Sequence, residues 1–336
     1  MSAIRTLVYA PNWVGDTVMA LPVIEALAAA GRQVEVLAKP HLVPLLNLAP
    51  GVADTVEAGE PVATVERLAR RKFDEAVLLP NSFRAAWLTR RAGIPRRWGY
   101  PGGFRRPLLA PAVARGTGAR HQVADYGELL TAMEVPAPEN WEPRLPLDAT
   151  RRARGRELLA RAGIDPDGGP IVGLFAGAEF GPSKQWPRER FEDVARALRR
   201  RRSDLQITLL AGPKEVWLAV RLHEETGKIH PVVGTDLDLA DLAAALAAHQ
   251  ALLTNDSGPM HLAAAVGVRC AALFGPTDPS RTAPVGEGHR VLTVDRWCAP
   301  CFRRRCPLVH HRCMTELSVE RATDAVLGLV DGGDEG

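Results

Sequence analysis

Residues 251–279 read ALLTNDSGPMHLAAAVGVRCAALFGPTDP, and the fold follows from how they divide. An apolar run, Ala251 to Leu253, ends in the polar turn Thr254-Asn255-Asp256-Ser257-Gly258. A helical segment over Pro259 to Val266, a turn at Gly267 and a second apolar run from Cys270 to Phe274 follow, closed by Gly275-Pro276. Strand, helix and strand in that spacing make a βαβ unit, whose strands pair in parallel. Asp256 or Ser257 is placed to cap the helix, and Pro259 falls in its first turn, where a missing N–H costs nothing. Small residues at Ser257 and Gly258 leave the remaining N–H groups open to an anion, which the helix dipole favours. A diphosphate fits such a turn, and so does an ordinary capped turn that binds nothing. Asp256 repels phosphate, so a helix cap or a ribose or sugar hydroxyl suits it better. His261 suits either donation to an anion or a half-buried structural place.

The same alternation extends outward on both sides. Arg5 to Ala10 reads as a strand, Pro11-Asn12-Trp13-Val14-Gly15-Asp16 as a turn, Thr17 to Ala30 as a helix ending at Gly31, and Gln33 to Ala38 as a second strand. Ala76 to Leu79 is a further strand, ending in Pro80-Asn81-Ser82 before a helix through Arg91. Pro136 to Pro146 is linker-like, Thr150 to Ala162 is helical, and new strands follow at Pro170–Phe175 and Gln206–Leu210. After the latter come a turn, Ala211-Gly212-Pro213, and a helix near Glu215 to Thr226. Strands separated by helices imply a doubly wound parallel sheet, here twice over and without sequence repetition. The expectation is an α/β protein of two Rossmann-like domains, 1–160 and 161–314. A last helix, 315–331, is expected to pack back on the first domain, and the tail DGGDEG to fray. No G-x-G-x-x-G follows the first strand and no G-x-x-x-x-G-K-[ST] occurs. Ligand binding at strand C-terminal edges, in a cleft between the domains, suits that combination.

A chain of 336 residues accommodates two such domains, each with its own core. With 46% hydrophobic and 24% charged residues it reads as soluble and globular, and no apolar run approaches the ~18 residues of a membrane span. MSAIRTLVYAP is a strand entry without the apolar region of a secretory signal, so a cytosolic protein is expected. The net charge of +3 does not point to nucleic acid. Of 42 basic residues five are lysine, a bias that reflects genome composition and carries no functional reading. Charge distribution says more. Between Glu75 and Asp125 there is no acid, while Arg84, Arg90, Arg91, Arg96, Arg97, Arg105, Arg106, Arg115 and Arg120 all fall there. A block of one sign suits a polyanion or an anionic membrane surface, or else a merely solvated face. Within it, Pro95 to Thr117 is rich in Pro, Gly and Arg and reads as an irregular, partly mobile loop.

Two single residues stand where chemistry is done in such folds. Asp16 lies at the hand-over from first strand to first helix, beside Gly15 and two apolar neighbours, Trp13 and Val14. A carboxylate there can take a proton from a sugar hydroxyl as general base, or simply cap the helix. Lys184 lies in the loop FAGAEFGPSKQWP (175–187) after the first strand of the second domain. It can face a diphosphate and stabilise charge building on it as a leaving group, or be a solvated loop lysine. The cysteines form C298-x2-C301-x4-C306-x6-C313 with His310 and His311 inside, and Cys270 stands apart. A cytosolic site argues against structural disulfides, and the second spacing is not the C-x2-C of a zinc ribbon. Bound metal, packed reduced thiols and redox-formed bridges stay open, and no metal is expected. Arg303, Arg304 and Arg305 add a basic spot that would help ligand binding or thiolate formation.

PNWVGDTVMALP (11–22), GAEFGPSKQWP (177–187), TNDSGPMHLAAA (254–265), ALFGPTDPSRTAP (272–284) and CAPCFRRRCPLVHHRCM (298–314) together resemble the ADP-heptose:lipopolysaccharide heptosyltransferases. The five segments span nearly the whole chain in order, and the cysteine-rich tail favours type II over type I. The resemblance implies an inverting GT-B glycosyltransferase without a cofactor or a tightly bound metal. The nucleotide-sugar would bind the C-terminal domain and the acceptor the N-terminal one. Asp16 falls at the position of the catalytic base and Lys184 at that of the lysine on the diphosphate. Glu179, Ser183, Lys184, Asn255, Asp256, Ser257, Gly258 and His261 fall in donor-binding loops, though Glu179 has no assignable atom to touch. Asn12, Trp13, Arg84, Arg105 and Arg120 are the acceptor-side candidates. Implied partners are ADP-heptose and a phosphorylated Kdo–lipid A acceptor at the cytoplasmic leaflet, touched peripherally, and no nucleic acid. Rival readings are another heptosyl addition of the type I or III kind, a GT-B nucleotide-sugar epimerase or hydrolase, and a non-catalytic ADP-sugar-binding protein.

Overall fold

The structure, a computed structural model, describes residues 3–118, 120–212, 216–225 and 232–332. The turn expected at Pro213, both ends of the helix expected near Glu215–Thr226, and tail residues 333–336 fall outside these. The chain divides into two compact units, Met1–Pro146 and Leu147–Gly336.

The first unit is built on five strands: β1 (Arg5–Tyr9), β2 (Gln33–Ala38), β3 (Val52–Glu57), β4 (Glu75–Leu78) and β5 (Arg96–Trp98). They pair in parallel in the order β3-β2-β1-β4-β5. The order reverses between β1 and β4, so the crevice at their C-terminal ends is the topological switch point. Leu7, Val8, Val36, Leu37, Val77 and Leu78 are fully buried, as continuous apolar strands between two helical layers must be. The expected single helix after β1 is two, Val14–Met19 and Leu21–Ala29, broken at Ala20 with Pro22 in the first turn of the second. At the opposite, N-terminal end of the sheet the buried carboxylate of Glu75 accepts from Thr6, Arg32 and Trp98, which makes it an anchor far from the switch point.

The second unit carries six strands: β6 (Ile171–Phe175), β7 (Gln206–Leu210), β8 (Val232–Val233), β9 (Ala251–Asn255), β10 (Arg269–Leu273) and β11 (Arg290–Leu292). Their order is β11-β10-β9-β6-β7-β8, again all parallel, with the reversal between β6 and β9. The fold class is α/β, with two Rossmann-like parallel sheets.

Two boundaries differ from expectation. The helix Ala149–Arg161 belongs to the second unit, where it packs on the helix Leu239–Leu246, so the division falls at 146/147 and not near 160. Gly155 allows that crossing: a Cβ there would stand 2.0 Å from the Ala244 carbonyl oxygen. The terminal helix, Val319–Val330, capped by Ser318, sinks Ala322, Ala325, Val326 and Leu329 into the second unit's core. It lies on the helix Arg188–Arg201 and the strands β9 and β10, which corrects the expectation that it packs back on the first domain. The spacing i, i+3, i+4, i+7 marks one buried stripe but does not say which surface receives it.

Candidate active site

At the switch point of the second unit, β9 ends in Asn255 and the helix Gly258–Ala265 begins after Asp256 and Ser257. Ser257 holds the N-cap position but makes no side-chain cap; its hydroxyl lies 3.0 Å from that of Thr254. Asp256 is not a cap either. Its carboxylate, 5% exposed, pairs with Lys184 Nζ at 2.5 Å and accepts from the Thr277 hydroxyl at 2.6 Å. The first N–H groups of the helix therefore have no side-chain cap, an arrangement that favours an anion. Lys184, 12% exposed, is delivered to the same edge by a 3-10 turn, Pro182–Lys184, and is not a solvated loop lysine. His261 is buried in the body of the Gly258 helix, while Gly258 is half-buried at its first position.

Two residues expected to touch a donor are struts instead. Asn255 is fully buried: its amide donates to the Ala176 carbonyl at 2.8 Å and its oxygen accepts from the Trp186 N–H at 3.0 Å. This ties both ends of the 176–186 loop to the end of β9. Ser183, also buried, donates its hydroxyl to the Arg303 carbonyl at 2.5 Å and its N–H to the Arg304 carbonyl at 3.2 Å. Such buried side-chain to backbone bonds fix a loop's shape. Glu179 stays exposed.

The cysteine segment is thus laced to the donor-side loop. His311 Nε2 donates to the Ser183 carbonyl at 2.6 Å, and a Cβ at Gly181 would meet the Arg304 carbonyl at 2.6 Å. Phe180 lies between two cations, with Lys184 Nζ 5.0 Å and the Arg304 guanidinium 5.6 Å from its ring centre. The basic spot at 303–305 therefore joins this edge. Cys298, Cys301, Cys306 and Cys313 line one small cavity together with His310 and His311. Burial first, and then the three neighbouring sulfurs, push the Cys313 thiol up to about 11, the opposite of thiolate activation. All five cysteines are free, and no group of three or more His, Cys, Asp or Glu among the described residues is arranged to hold a metal ion.

In the first unit, Asp16 occupies the third position of the helix Val14–Met19, whose N-cap is Trp13. The cap reading of Asp16 is thereby removed: it is half-buried in the first helical turn, at the C-terminal end of β1. Tyr126, from the helix Gln122–Ala132, is buried nearby. Burial and then the Asp16 charge hold its phenol protonated, and Gln122 Nε2 donates to it at 2.6 Å. Asn12 and Trp13 are exposed at the same edge, Trp13 at 45%. Arg84 joins them: it reaches the phenol of Tyr9, the last residue of β1, and donates to the Gly59 carbonyl at 2.9 Å.

Arg105 does not serve as expected. At 1% exposure it is internal, donating to the carbonyls of Tyr100 at 2.7 Å and Pro80 at 2.5 Å and to the Asn81 side chain. Arg120 stays at the surface, paired with Glu128, and Arg115 pairs with Asp125. Arg97 is buried too, bonded to the carbonyls of Leu108 at 2.6 Å and Pro95 at 2.8 Å. Arg96, at the surface, pairs with the buried Glu75, so the block of nine arginines is two internal anchors, three ion pairs and an exposed remainder of four.

Tyr126, Thr277 and Phe180 were not singled out from the sequence. Thr277 lies inside the opening stretch, directly after Gly275-Pro276 at a strand end, and that position was the available signal. Tyr126 has none: only the packing of two helices distant in sequence brings it to Asp16.

Two parallel sheets with Lys184 at one switch point and a carboxylate, Asp16, at the other suit a glycosyltransferase of the GT-B class, and the comparisons with known proteins show that class. The model of glycosyltransferase family 9 (heptosyltransferase) matches residues 62–311, and the chain belongs to that family. It is 30% identical to lipopolysaccharide heptosyltransferase 2 of Escherichia coli (strain K12), over 97% of this chain and 98% of that one. It is 31% identical to lipooligosaccharide heptosyltransferase 2 of Haemophilus ducreyi, over 86% and 88%. The solved structure of E. coli ADP-heptose lps heptosyltransferase II superposes with a TM-score of 0.83 at 26% identity, covering 98% of this chain and 99% of that one.

Proposed function

We propose that this chain moves L-glycero-D-manno-heptose from ADP-heptose to a heptosyl-Kdo–lipid A acceptor in the synthesis of the lipopolysaccharide inner core. The observation that carries the reading is the edge at β6 and β9, where Lys184 stands beside a helix N-terminus without a side-chain cap. Its likeness to lipopolysaccharide heptosyltransferase 2 and to the ADP-heptose lps heptosyltransferase II of E. coli supports the donor and the class of acceptor. The departing group is a diphosphate, and the charge it gains must be met as the glycosidic bond breaks. A lysine and preorganised N–H groups meet that charge without having to reorganise during the step.

The chemistry balances simply. The acceptor hydroxyl oxygen attacks the anomeric carbon from the face opposite the diphosphate, the C–O bond to ADP breaks with its electron pair, and the hydroxyl proton passes to Asp16. The configuration at that carbon inverts. Asp256 holds Lys184 in position through the 2.5 Å pair and is itself fixed by Thr277. Arg84, at the same edge as Asp16, suits a phosphate of the acceptor. Because that acceptor carries acyl chains, the enzyme works at the cytoplasmic face of a membrane, touching it peripherally. No helix among the described residues is long and apolar enough to cross one.

The reading is tested by incubating the protein with ADP-heptose and a mono-heptosylated Kdo–lipid A, then analysing the acceptor by mass spectrometry and NMR. A gain of one heptose with inverted anomeric configuration is expected. An unchanged acceptor, or retained configuration, contradicts the proposal.

A further inference from the structure

One exposed feature of the first unit has no part in the chemistry above. Phe104 is 96% exposed and sits at φ +60°, a conformation that bulky residues seldom adopt. It stands at the tip of a loop, 100–106, whose neighbouring residues Pro101, Gly102 and Gly103 are exposed as well. The loop is nonetheless pinned from inside. Arg105, the next residue, is buried and ties the loop to Tyr100, Pro80 and Asn81, at the C-terminal end of β4. Arg97 does the same for its flank, through Leu108 and Pro95. Two buried guanidiniums thus hold an aromatic ring outward in water, where it gains nothing from the fold.

The surroundings say what the ring is for. Asn81, which Arg105 grips, precedes the helix Phe83–Arg91, whose first two residues are Phe83, 51% exposed, and Arg84. Arg106 follows the Phe104 tip directly and is exposed, and Arg90, also exposed, reaches the Pro107 carbonyl. Between Glu75 and Asp125 there is no acidic residue, so nothing within this segment cancels these charges. Apolar rings standing among arginines match an anionic bilayer, whose headgroups take the charge and whose interface takes the ring. A sugar site would set polar side chains beside such a ring, whereas its neighbours at the tip, Pro101, Gly102 and Gly103, carry none.

We infer that the Phe104 tip, with Phe83, Arg90 and Arg106, docks the first unit on an anionic phospholipid surface, Phe104 entering the interface. This deepens the proposed function, resting on its membrane-held acceptor, and adds the surface by which the enzyme reaches it.

The test is sedimentation of the full chain with vesicles of phosphatidylcholine alone and with an equimolar mixture of phosphatidylcholine and phosphatidylglycerol. Phe104→Asn suits the test, because asparagine tolerates the left-handed conformation and the fold is kept. The wild-type chain should pellet with the anionic vesicles and not with the neutral ones. Phe104→Asn should lower partitioning by about tenfold or more, and Arg106→Gln by roughly fivefold. Turnover on an acceptor stripped of its acyl chains should be the same for all three proteins. A wild-type chain that stays in the supernatant overturns the proposal, as does a Phe104→Asn chain that pellets like wild type. Loss of turnover of Phe104→Asn on the stripped acceptor also overturns it, since the ring would then belong to the acceptor-sugar site. Vesicle binding that follows these variants while no acceptor is ever glycosylated supports the docking surface and overturns the proposed function alone.

Discussion

Asp16 and Lys184 are each assigned a different half of one reaction, and their surroundings separate their substitutions from mere structural damage. Asp16 is not the cap of its helix, so Asp16→Asn removes no cap hydrogen bond. Its charge in the first turn is worth about 0.3–1 kcal/mol with the helix dipole, and asparagine keeps the shape of the side chain. The variant should therefore melt close to wild type while kcat falls ~10²–10⁴ and donor KM stays nearly unchanged. A variant turning over at the wild-type rate removes Asp16 from the chemistry. Lys184→Ala behaves otherwise, because Asp256, 5% exposed, loses its cationic partner. A carboxylate left buried without its partner costs about 3–5 kcal/mol, so the unliganded melting temperature should drop. Beyond that drop, added ADP should stabilise the variant far less than wild type, and kcat/KM should fall ~10²–10³. An undiminished ADP-induced shift would show that Lys184 serves Asp256 and the fold alone. The position of both residues was legible in the sequence, since each follows a strand in a doubly wound pattern. Their partners were not: Thr277 and Tyr126 come from other elements, and no local pattern announces such meetings.

Elements were legible where they are buried on both faces and obscure where they are not. β6 and β9 read as continuous apolar runs because helices cover both faces of the sheet. β3, VADTVE, is half exposed at a sheet edge, and β8 has two residues, so neither carries an apolar signature. One element junction yields a pH prediction. His249, just beyond the helix Leu239–Leu246, is 5% exposed and bridges that helix to β7. Its Nδ1–H donates to the Ala245 carbonyl at 3.0 Å, and its Nε2 accepts from the Thr208 hydroxyl at 2.8 Å. Burial pulls its pKa down to about 4, although both neighbouring carbonyls act in the other direction. The unfolded chain takes up a proton near 6.5 and the folded chain only near 4. Stability is therefore full above the upper value and falls as pH drops through that window, by up to ~3 kcal/mol from this group. Urea midpoints at about pH 7 and about pH 5 should separate more for wild type than for His249→Gln. Equal separation in the two proteins would contradict the assignment.

The molecule repeats one plan, a parallel sheet whose order reverses beside its first strand, and the reversal point in each unit is where the candidate residues gather. That repetition was legible from alternating strands and helices, without sequence similarity between the halves. Its division was not, because the helix Ala149–Arg161 follows the linker like an end of the first domain, and only its packing on the helix Leu239–Leu246, with the close contact at Gly155 and the Arg154–Asp241 pair, assigns it to the second unit. The arginine block misled in a similar way: composition counts charges but does not distinguish Arg97 and Arg105, which are internal fasteners, from those left for a partner. This chain, a member of glycosyltransferase family 9, is proposed to couple loss of ADP to an incoming acceptor hydroxyl. The measurement that tests it most directly is the rate of ADP release from ADP-heptose, with and without mono-heptosylated Kdo–lipid A. Release that depends on the acceptor, and that Asp16→Asn slows ~10²–10⁴, is the predicted result. Release at the same rate without acceptor would contradict the account and make the chain a hydrolase of the nucleotide-sugar.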